Sequence, residues 1–200
     1  MNKSLRVWIQ LVATLGVLVI LQSLVSLQTT PHRYEWLFFA ALAVLTGSFS
    51  MKIGSVSASV TIADTFFITT ALMFGPAPAT LAIAVGTFVA SWRRGHDRER
   101  VAFNTATTSL SIWAGSHVFF LFAGVPPLAN ASQVPAGQVI GPLLALTAVY
   151  FLTNSGLIAV AIGFDARRSP IAVWREHFLW LSTSYFAAAS VSFCLVLLMY

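Results

Sequence analysis

The chain has 200 residues, of which 58% are apolar and only 8% are charged. Soluble domains carry about 25% charged residues, so this composition excludes soluble, disordered and fibrous proteins and indicates an integral membrane protein. The net charge of +5 would suit a nucleic-acid partner, but basic cytoplasmic loops explain it better in a membrane protein. The single cysteine, Cys194, excludes an internal disulfide and any multi-cysteine metal site.

The first third of the chain divides into apolar stretches separated by short polar segments. Residues 7–31 carry no charge and are long enough for one membrane span, at about 20 residues per crossing. We interpret them as an uncleaved span, because the stretch is longer than the apolar part of a signal peptide and no A-x-A cleavage pattern follows.

Residues 36–51 form a second apolar stretch. Residues 51–63 then nearly alternate hydroxyl and aliphatic side chains, which predicts an extended segment at the membrane interface or against helices.

The next apolar stretch, residues 64–92, is too long for one simple span. As a continuous helix it would measure about 42 Å, whereas the hydrocarbon core is about 30 Å thick. The sequence FGPAP interrupts it at Gly75, Pro76 and Pro78, because proline removes a backbone donor and clashes with the preceding turn. We therefore predict two short helices, 62–74 and 77–92, that are shielded by protein or line a cavity.

The second half of the chain contains one long uncharged run between two basic loops. Residues 101–164 carry no formal charge and must fold back once, which the proline- and glycine-containing segment 124–137 predicts. A final apolar stretch begins at Phe178. The arginines of the two basic loops are Arg93, Arg94, Arg98, Arg100, Arg167, Arg168 and Arg175.

These loops predict the topology, because basic loops resist translocation. With a cytoplasmic N-terminus and seven spans, two of them short, ten of the eleven basic residues face the cytoplasm and Arg33 alone lies outside. We therefore predict one all-α, polytopic helical bundle over residues 1–200, embedded in the bacterial cytoplasmic membrane. The seventh span would leave Tyr200 outside with no polar tail, so we expect the native protein to continue.

Four polar side chains within the predicted spans are candidates for ligand binding. Asp64 is an isolated carboxylate at the start of a short helix, where capping of the helix is an equally good interpretation. His117 is an ionisable group inside the fifth span, which favours a function; the alternative is a neutral imidazole bonded to a neighbouring helix. Asn104 and Asn154 either bind a ligand or bridge helices.

No motif of a known catalytic centre is present. The sequence lacks H-E-x-x-H, G-x-S-x-G, a P-loop and the Rossmann glycine pattern. We therefore expect this segment to have no enzymatic activity and to hold no metal or cofactor.

Three stretches carry a family resemblance. Residues 56–92, VSASVTIADTFFITTALMFGPAPATLAIAVGTFVASW, combine a serine-rich extended segment, an aspartate, a short helix ending in Phe-Gly-Pro and a helix rich in small residues. Together with RVAFNTA at 100–106 and residues 150–186, they resemble the membrane-bound N-terminal regions of bacterial signalling proteins that precede a GGDEF or HD-GYP output domain. The resemblance implies one further span after Tyr200 and then a cytoplasmic cyclase or phosphodiesterase of cyclic-di-GMP signalling.

The resemblance predicts a sensor domain that relays a small-molecule, lipid or membrane signal by a shift in helix packing. Its partners would be the bilayer and a second copy, joined through the full-length protein, without nucleic acid. Residues 60–92 also resemble the S components of energy-coupling-factor vitamin transporters, which implies that the segment before Asp64 is an external lid and places the loop 93–100 outside. A structural anchor that dimerises the output domain is a further alternative.

Overall fold

A computed structural model describes residues 3–30, 34–47, 51–52, 59–60, 62–131 and 134–199. Within these ranges the chain forms eight α-helices, two short 3-10 turns and one pair of two-residue strands. The elements are α1 (Lys3–Leu27), α2 (Trp36–Thr46), β1 (Met51–Lys52), β2 (Ser59–Val60), α3 (Ala63–Phe74), α4 (Pro76–Arg93), α5 (Arg98–Ala123), α6 (Ala136–Ala166), α7 (Pro170–His177) and α8 (Ser182–Met199), with 3-10 turns at Leu128–Asn130 and Leu179–Leu181.

The bundle has the helices and the outer surface of a membrane protein. In the described ranges four helices are long and apolar enough to cross a bilayer, namely α1, α5, α6 and Leu179–Met199, whereas α2 and α3 are apolar but shorter. The outward side of α1 exposes large aliphatic residues such as Leu11, Leu18 and Val25, an arrangement that suits lipid as the solvent. The prediction of an all-α helical bundle is confirmed. Four of the described helices, rather than seven, are long and apolar enough to span a membrane.

The break in the long apolar stretch occurs at Gly75. Its backbone has φ 96° and ψ −178°, a region that essentially only glycine enters, and Pro76 follows at the first helical position, where its missing N–H is no loss. The two helices pack side by side, since a Cβ added to Gly86 of α4 would lie 2.7 Å from Cζ of Phe67 in α3. The predicted helix boundaries are confirmed to within one residue.

The segment before α3 is extended where the structure describes it. β1 and β2 pair antiparallel, with Met51 opposite Val60, which confirms the prediction at these residues. The end of the predicted segment is corrected, because α3 already begins at Ala63. Residues 53–58 and 61 lie outside the described ranges.

Helix α5 packs against α1, α4 and α6, and small residues allow these close approaches. A Cβ on Gly16 of α1 would lie 2.3 Å from Cβ of Ala106, and one on Gly115 would lie 2.9 Å from the carbonyl oxygen of Leu146 in α6. Trp8 Nε1 also donates to the carbonyl oxygen of Leu157 at 3.1 Å. The start of α1 therefore lies beside the C-terminal half of α6.

These contacts give the bundle two distinct ends. The basic end contains the start of α1, the α4–α5 loop and the α6–α7 loop, and it carries Lys3, Arg6, Arg93, Arg94, Arg98, Arg100, Arg167, Arg168 and Arg175. The opposite end contains Gly75, which lies close to Pro127 beside the Leu128–Asn130 turn.

Helix α7 lies inside the second basic loop and has no counterpart in the predicted spans. It buries Val173 and exposes charged residues on its other side. Arg168 donates to Glu176 Oε2 at 2.7 Å, and this hydrogen bond, together with the arginine's charge, lowers the pKa of Glu176 from its ordinary value of 4.5. Trp174 Nε1 donates to Ser155 Oγ at 2.7 Å, which holds α7 against α6.

Candidate functional site

A cavity of about 830 Å³ lies within the bundle and is lined by residues from α2 to α8. Cavities of about 300–1,000 Å³ are typical of small-molecule sites. Three of the four predicted site residues line this cavity: Asp64, Asn104 and Asn154. The structure therefore brings together side chains that are up to 90 positions apart in the sequence.

Four polar side chains of the cavity lining form a group that we call the inner polar cluster: Asp64, Tyr150, Asn154 and Tyr185. Tyr150 is buried, and its Oη donates to Asp64 Oδ1 at 2.7 Å. Asn154 lies one turn further along α6 and donates Nδ2 to Tyr185 Oη. The two tyrosine rings meet edge to face with their centroids 5.0 Å apart. The cluster thus ties α3, α6 and α8 together.

Asp64 is not the N-cap residue of α3. The N-cap of α3 is Ile62, and no side chain makes a capping hydrogen bond there. Asp64 lies in the first turn of the helix, where its charge still complements the dipole, and its carboxylate accepts the hydrogen bond from Tyr150. Asp64 thus takes part in a tertiary contact, because the donor is a tyrosine 86 positions later in the chain.

The wall formed by α4 and α5 carries hydroxyl groups. Thr108 Oγ1 donates to Thr87 Oγ1 at 3.1 Å and links the two helices. Asn104 lies one turn before Thr108 on the same wall. Thr107 is fully buried, and its Oγ1 has no hydrogen-bond partner in the described part of the chain. A buried hydroxyl without a partner costs free energy, so Thr107 lowers the stability of this wall.

The part of the cavity lining that lies at the basic end of the bundle, which we call the mouth, includes Arg94 and His177. Arg94 caps the C-terminus of α4, and His177 ends α7. Both line the cavity together with Phe178 and Leu181. Arg94 makes no ion pair with any described residue, whereas His177 Nε2 lies 3.8 Å from Glu176 Oε1.

His117 is separate from the other three predicted site residues. It is exposed near the opposite end of the bundle and lines a second cavity of about 250 Å³ beside Gly75 and Pro76. Its Nδ1 lies 2.8 Å from the carbonyl oxygen of Trp113, so Nδ1 carries the hydrogen. His117 therefore lies apart from Asp64, because α5 extends from the main cavity to the other end of the bundle.

No protein family, curated protein or solved structure matches this chain. The resemblance to signalling input regions stays a prediction, and the geometry of the site alone supports a function. The described residues bring together no three His, Cys, Asp or Glu side chains that could hold a metal ion. The lining of the main cavity combines an acid, two amides, hydroxyl groups and an arginine with apolar side chains.

Sequence reasoning missed Tyr150, Tyr185, Thr107 and the place of Arg94 at the mouth. Tyr150 and Asn154 could have been found together, because a four-residue spacing places two polar groups on one face of an otherwise apolar helix. Tyr185 has no such signal, since its contact with Asn154 joins two helices.

Proposed function

We propose that this chain is a membrane-embedded input domain that binds a small organic molecule in its internal cavity and relays the bound state to a cytoplasmic output domain. The observation that carries the proposal is the inner polar cluster within a cavity of about 830 Å³. Ionisable and amide groups are costly inside a bilayer and usually serve a function there. A simple anchor would need neither the acid nor the cavity.

The inner polar cluster supports a relay through α8. Asn154 bonds Tyr185 of α8, and Ser192 of α8 donates to the carbonyl oxygen of Thr65 at 2.7 Å. A ligand that contacts Asn154 perturbs its bond to Tyr185 and shifts the packing of α8 against α3 and α6. In the signalling proteins that the chain resembles, an output domain follows the membrane region, so this shift would be the signal. Its size is limited by the difference in the ligand's affinity for the two packings.

The basic end faces the cytoplasm in this proposal, as the distribution of Lys and Arg favours. The seven crossings then comprise four long helices and the shorter α2, α3 and α4. The membrane is the bacterial cytoplasmic membrane, and a homodimer forms through the full-length protein.

A second candidate, the S component of a vitamin transporter, uses the same cavity. The observation that favours it is that Gly47 and Ala63, on either side of segment 48–62, both line the cavity, as a lid over a binding site would require. Arg94 lies at the same end. The two functions therefore differ in which side of the membrane the basic end faces.

A cavity-filling substitution tests the binding function. Ala90 lines the cavity on α4, whereas Val85 lies on the same helix and is 54% exposed outside it. We expect native mass spectrometry of the protein extracted from its membrane to detect a bound small molecule in the wild type and in Val85→Trp. Ala90→Trp should lose that molecule while keeping its thermal stability. Equal small-molecule content in Ala90→Trp and Val85→Trp would favour the structural anchor instead.

A further inference from the structure

A groove of about 380 Å³ lies on the outside of the bundle, between the start of α1 and the end of α6. Its lining consists of Lys3, Ser4, Val7, Trp8, Leu11 and Phe164. Among these described residues Lys3 alone carries a charge, and all the others except Ser4 are apolar. The lining shares no residue with that of the main cavity, so the groove is a separate site.

Trp8 gives the groove a fixed wall. Its Nε1 donates to the carbonyl oxygen of Leu157 at 3.1 Å. Its ring meets the ring of Phe164 edge to face, with the centroids 6.3 Å apart. A tryptophan that is held at both its N–H and its ring loses little further freedom when a ligand packs against it. The groove is therefore formed before any ligand binds.

The groove follows one side of α1. Lys3, Val7 and Leu11 are four residues apart and form one row on the helix, which Leu15 continues at 45% exposure. From Lys3 to Leu11 this row measures about 12 Å at 1.5 Å per residue, whereas the hydrocarbon of one leaflet is about 15 Å thick. An acyl chain can therefore follow the row through most of one leaflet while its headgroup stays at the level of Lys3.

The end of the groove that contains Lys3 is cationic. Lys3 and Arg6 make no ion pair with any described residue. Arg167 follows the lining residue Phe164 by three positions, and Asp165 is the one acidic residue between them. Three cations against one carboxylate attract an anion to this end of the groove. The groove thus combines an apolar channel with a positively charged end.

We propose that this groove binds an anionic phospholipid, with its phosphate at the ammonium group of Lys3 and one acyl chain along Val7 and Leu11. Basic pockets between membrane helices bind anionic headgroups in this way. A zwitterionic phospholipid fits less well, because its own cationic group would lie among the cations of the protein. The site needs the membrane location of the proposed function but needs no ligand in the main cavity.

The test compares two phospholipids with the same acyl chains, dioleoylphosphatidylglycerol and dioleoylphosphatidylcholine. Each is titrated separately into the purified chain in detergent, and native mass spectrometry measures the dissociation constant of the first bound lipid. We expect phosphatidylglycerol to bind about fivefold more tightly, as one lysine near an anionic headgroup predicts. Glycerol 3-phosphate, which has the phosphate but no acyl chain, should not bind detectably, since it cannot bury apolar surface in the groove.

Two sets of variants assign the site. Lys3→Gln should abolish the preference for phosphatidylglycerol, and Lys3→Arg should keep it. Arg175→Gln removes one charge from the same end of the bundle, at an exposed position outside the groove, and should also keep it. Val7→Trp should fill the groove and weaken binding of phosphatidylglycerol at least as much as Lys3→Gln does. Val17→Trp should leave binding unchanged, although Val7 and Val17 are both 54% exposed on the same helix. Thermal unfolding in detergent shows that each variant is folded.

The lipid site is overturned if the two phospholipids bind with equal affinity, or if Lys3→Gln and Arg175→Gln retain the preference alike. Equal binding of phosphatidylglycerol to Val7→Trp and Val17→Trp would also contradict it. If glycerol 3-phosphate binds as tightly as phosphatidylglycerol, the ligand is a free phosphate and the lipid site is wrong. The native mass measurement on Ala90→Trp and Val85→Trp tests the binding function of the main cavity separately, so the two failures are distinguishable.

Discussion

The hydrogen bond between Tyr150 and Asp64 is the most direct target for a stability measurement. Tyr150→Phe keeps the buried ring and removes only the donor at 2.7 Å from Asp64 Oδ1. A hydrogen bond to a charged group contributes about 1.5–3 kcal/mol to stability, against about 0.5–1.5 kcal/mol for a neutral one. We expect Tyr150→Phe to cost the larger amount, because Asp64 loses a donor inside the bundle.

The assay is thermal unfolding in detergent, followed by circular dichroism. For a chain of this size about 1 kcal/mol corresponds to roughly 2–4 °C, so the expected decrease in Tm is about 3–12 °C. Tyr34→Phe is the matched control, since Tyr34 is 74% exposed and its hydroxyl makes no hydrogen bond in the described structure. It should leave Tm unchanged.

A double-mutant cycle shows whether the charge of Asp64 matters. Asp64→Asn keeps an acceptor oxygen for Tyr150 and removes the charge, so we expect the fold to survive. In that background Tyr150→Phe should cost only about 0.5–1.5 kcal/mol, a coupling of about 1 kcal/mol or more. The reasoning is refuted if Tyr150→Phe costs the same in both backgrounds, or if Asp64→Asn prevents stable insertion.

Further predictions concern two glycines and one ion pair. Gly75→Ala should destabilise the bundle by about 1–3 kcal/mol in the same unfolding assay, because φ is 96° there. Gly16→Ala should also cost about 1–3 kcal/mol, because the added methyl group pushes α1 away from α5. Gly137→Ala should be neutral, because Gly137 has open space around it. The Arg168–Glu176 pair should stabilise α7 above pH 4.5 and lose its effect as the pH falls through the lowered pKa of Glu176. The protection factors of α7 amides, taken relative to the intrinsic exchange rate at each pH, should therefore fall at acid pH in the wild type, and Glu176→Gln should show the low protection already at pH 7.

The features that the sequence predicted well have local causes. The break at Gly75 follows from glycine and proline within three residues, and the fold-back between α5 and α6 follows from a cluster of turn residues. The glycine, proline and other turn residues that end these helices lie at the boundaries themselves, so a local stretch of sequence is enough to predict them. The outline of the fold was predictable for that reason.

The features that the sequence did not predict depend on contacts between distant segments. A single carboxylate at a helix start looks like a cap, and only the folded chain shows that Tyr150 reaches it. His117 and Asn104 lie on one helix and looked equally suited to a site, but about 20 Å of helix separates them at 1.5 Å per residue. Amphipathic α7 was hidden within a charged loop because eight residues give too little periodicity to detect.

The measurement that tests the account most directly is the sidedness of the basic end. Glu99 at the start of α5 and Asn130 at the opposite end are both exposed, and each is replaced by cysteine in a Cys194→Ser background. Gly95 is less suitable, since its φ of 71° disfavours any side chain. With a membrane-impermeant maleimide on intact cells, the input-domain account predicts labelling at position 130 and labelling at position 99 only after the membrane is opened. Labelling at position 99 in intact cells, with none at position 130, would contradict it and favour the transporter S component.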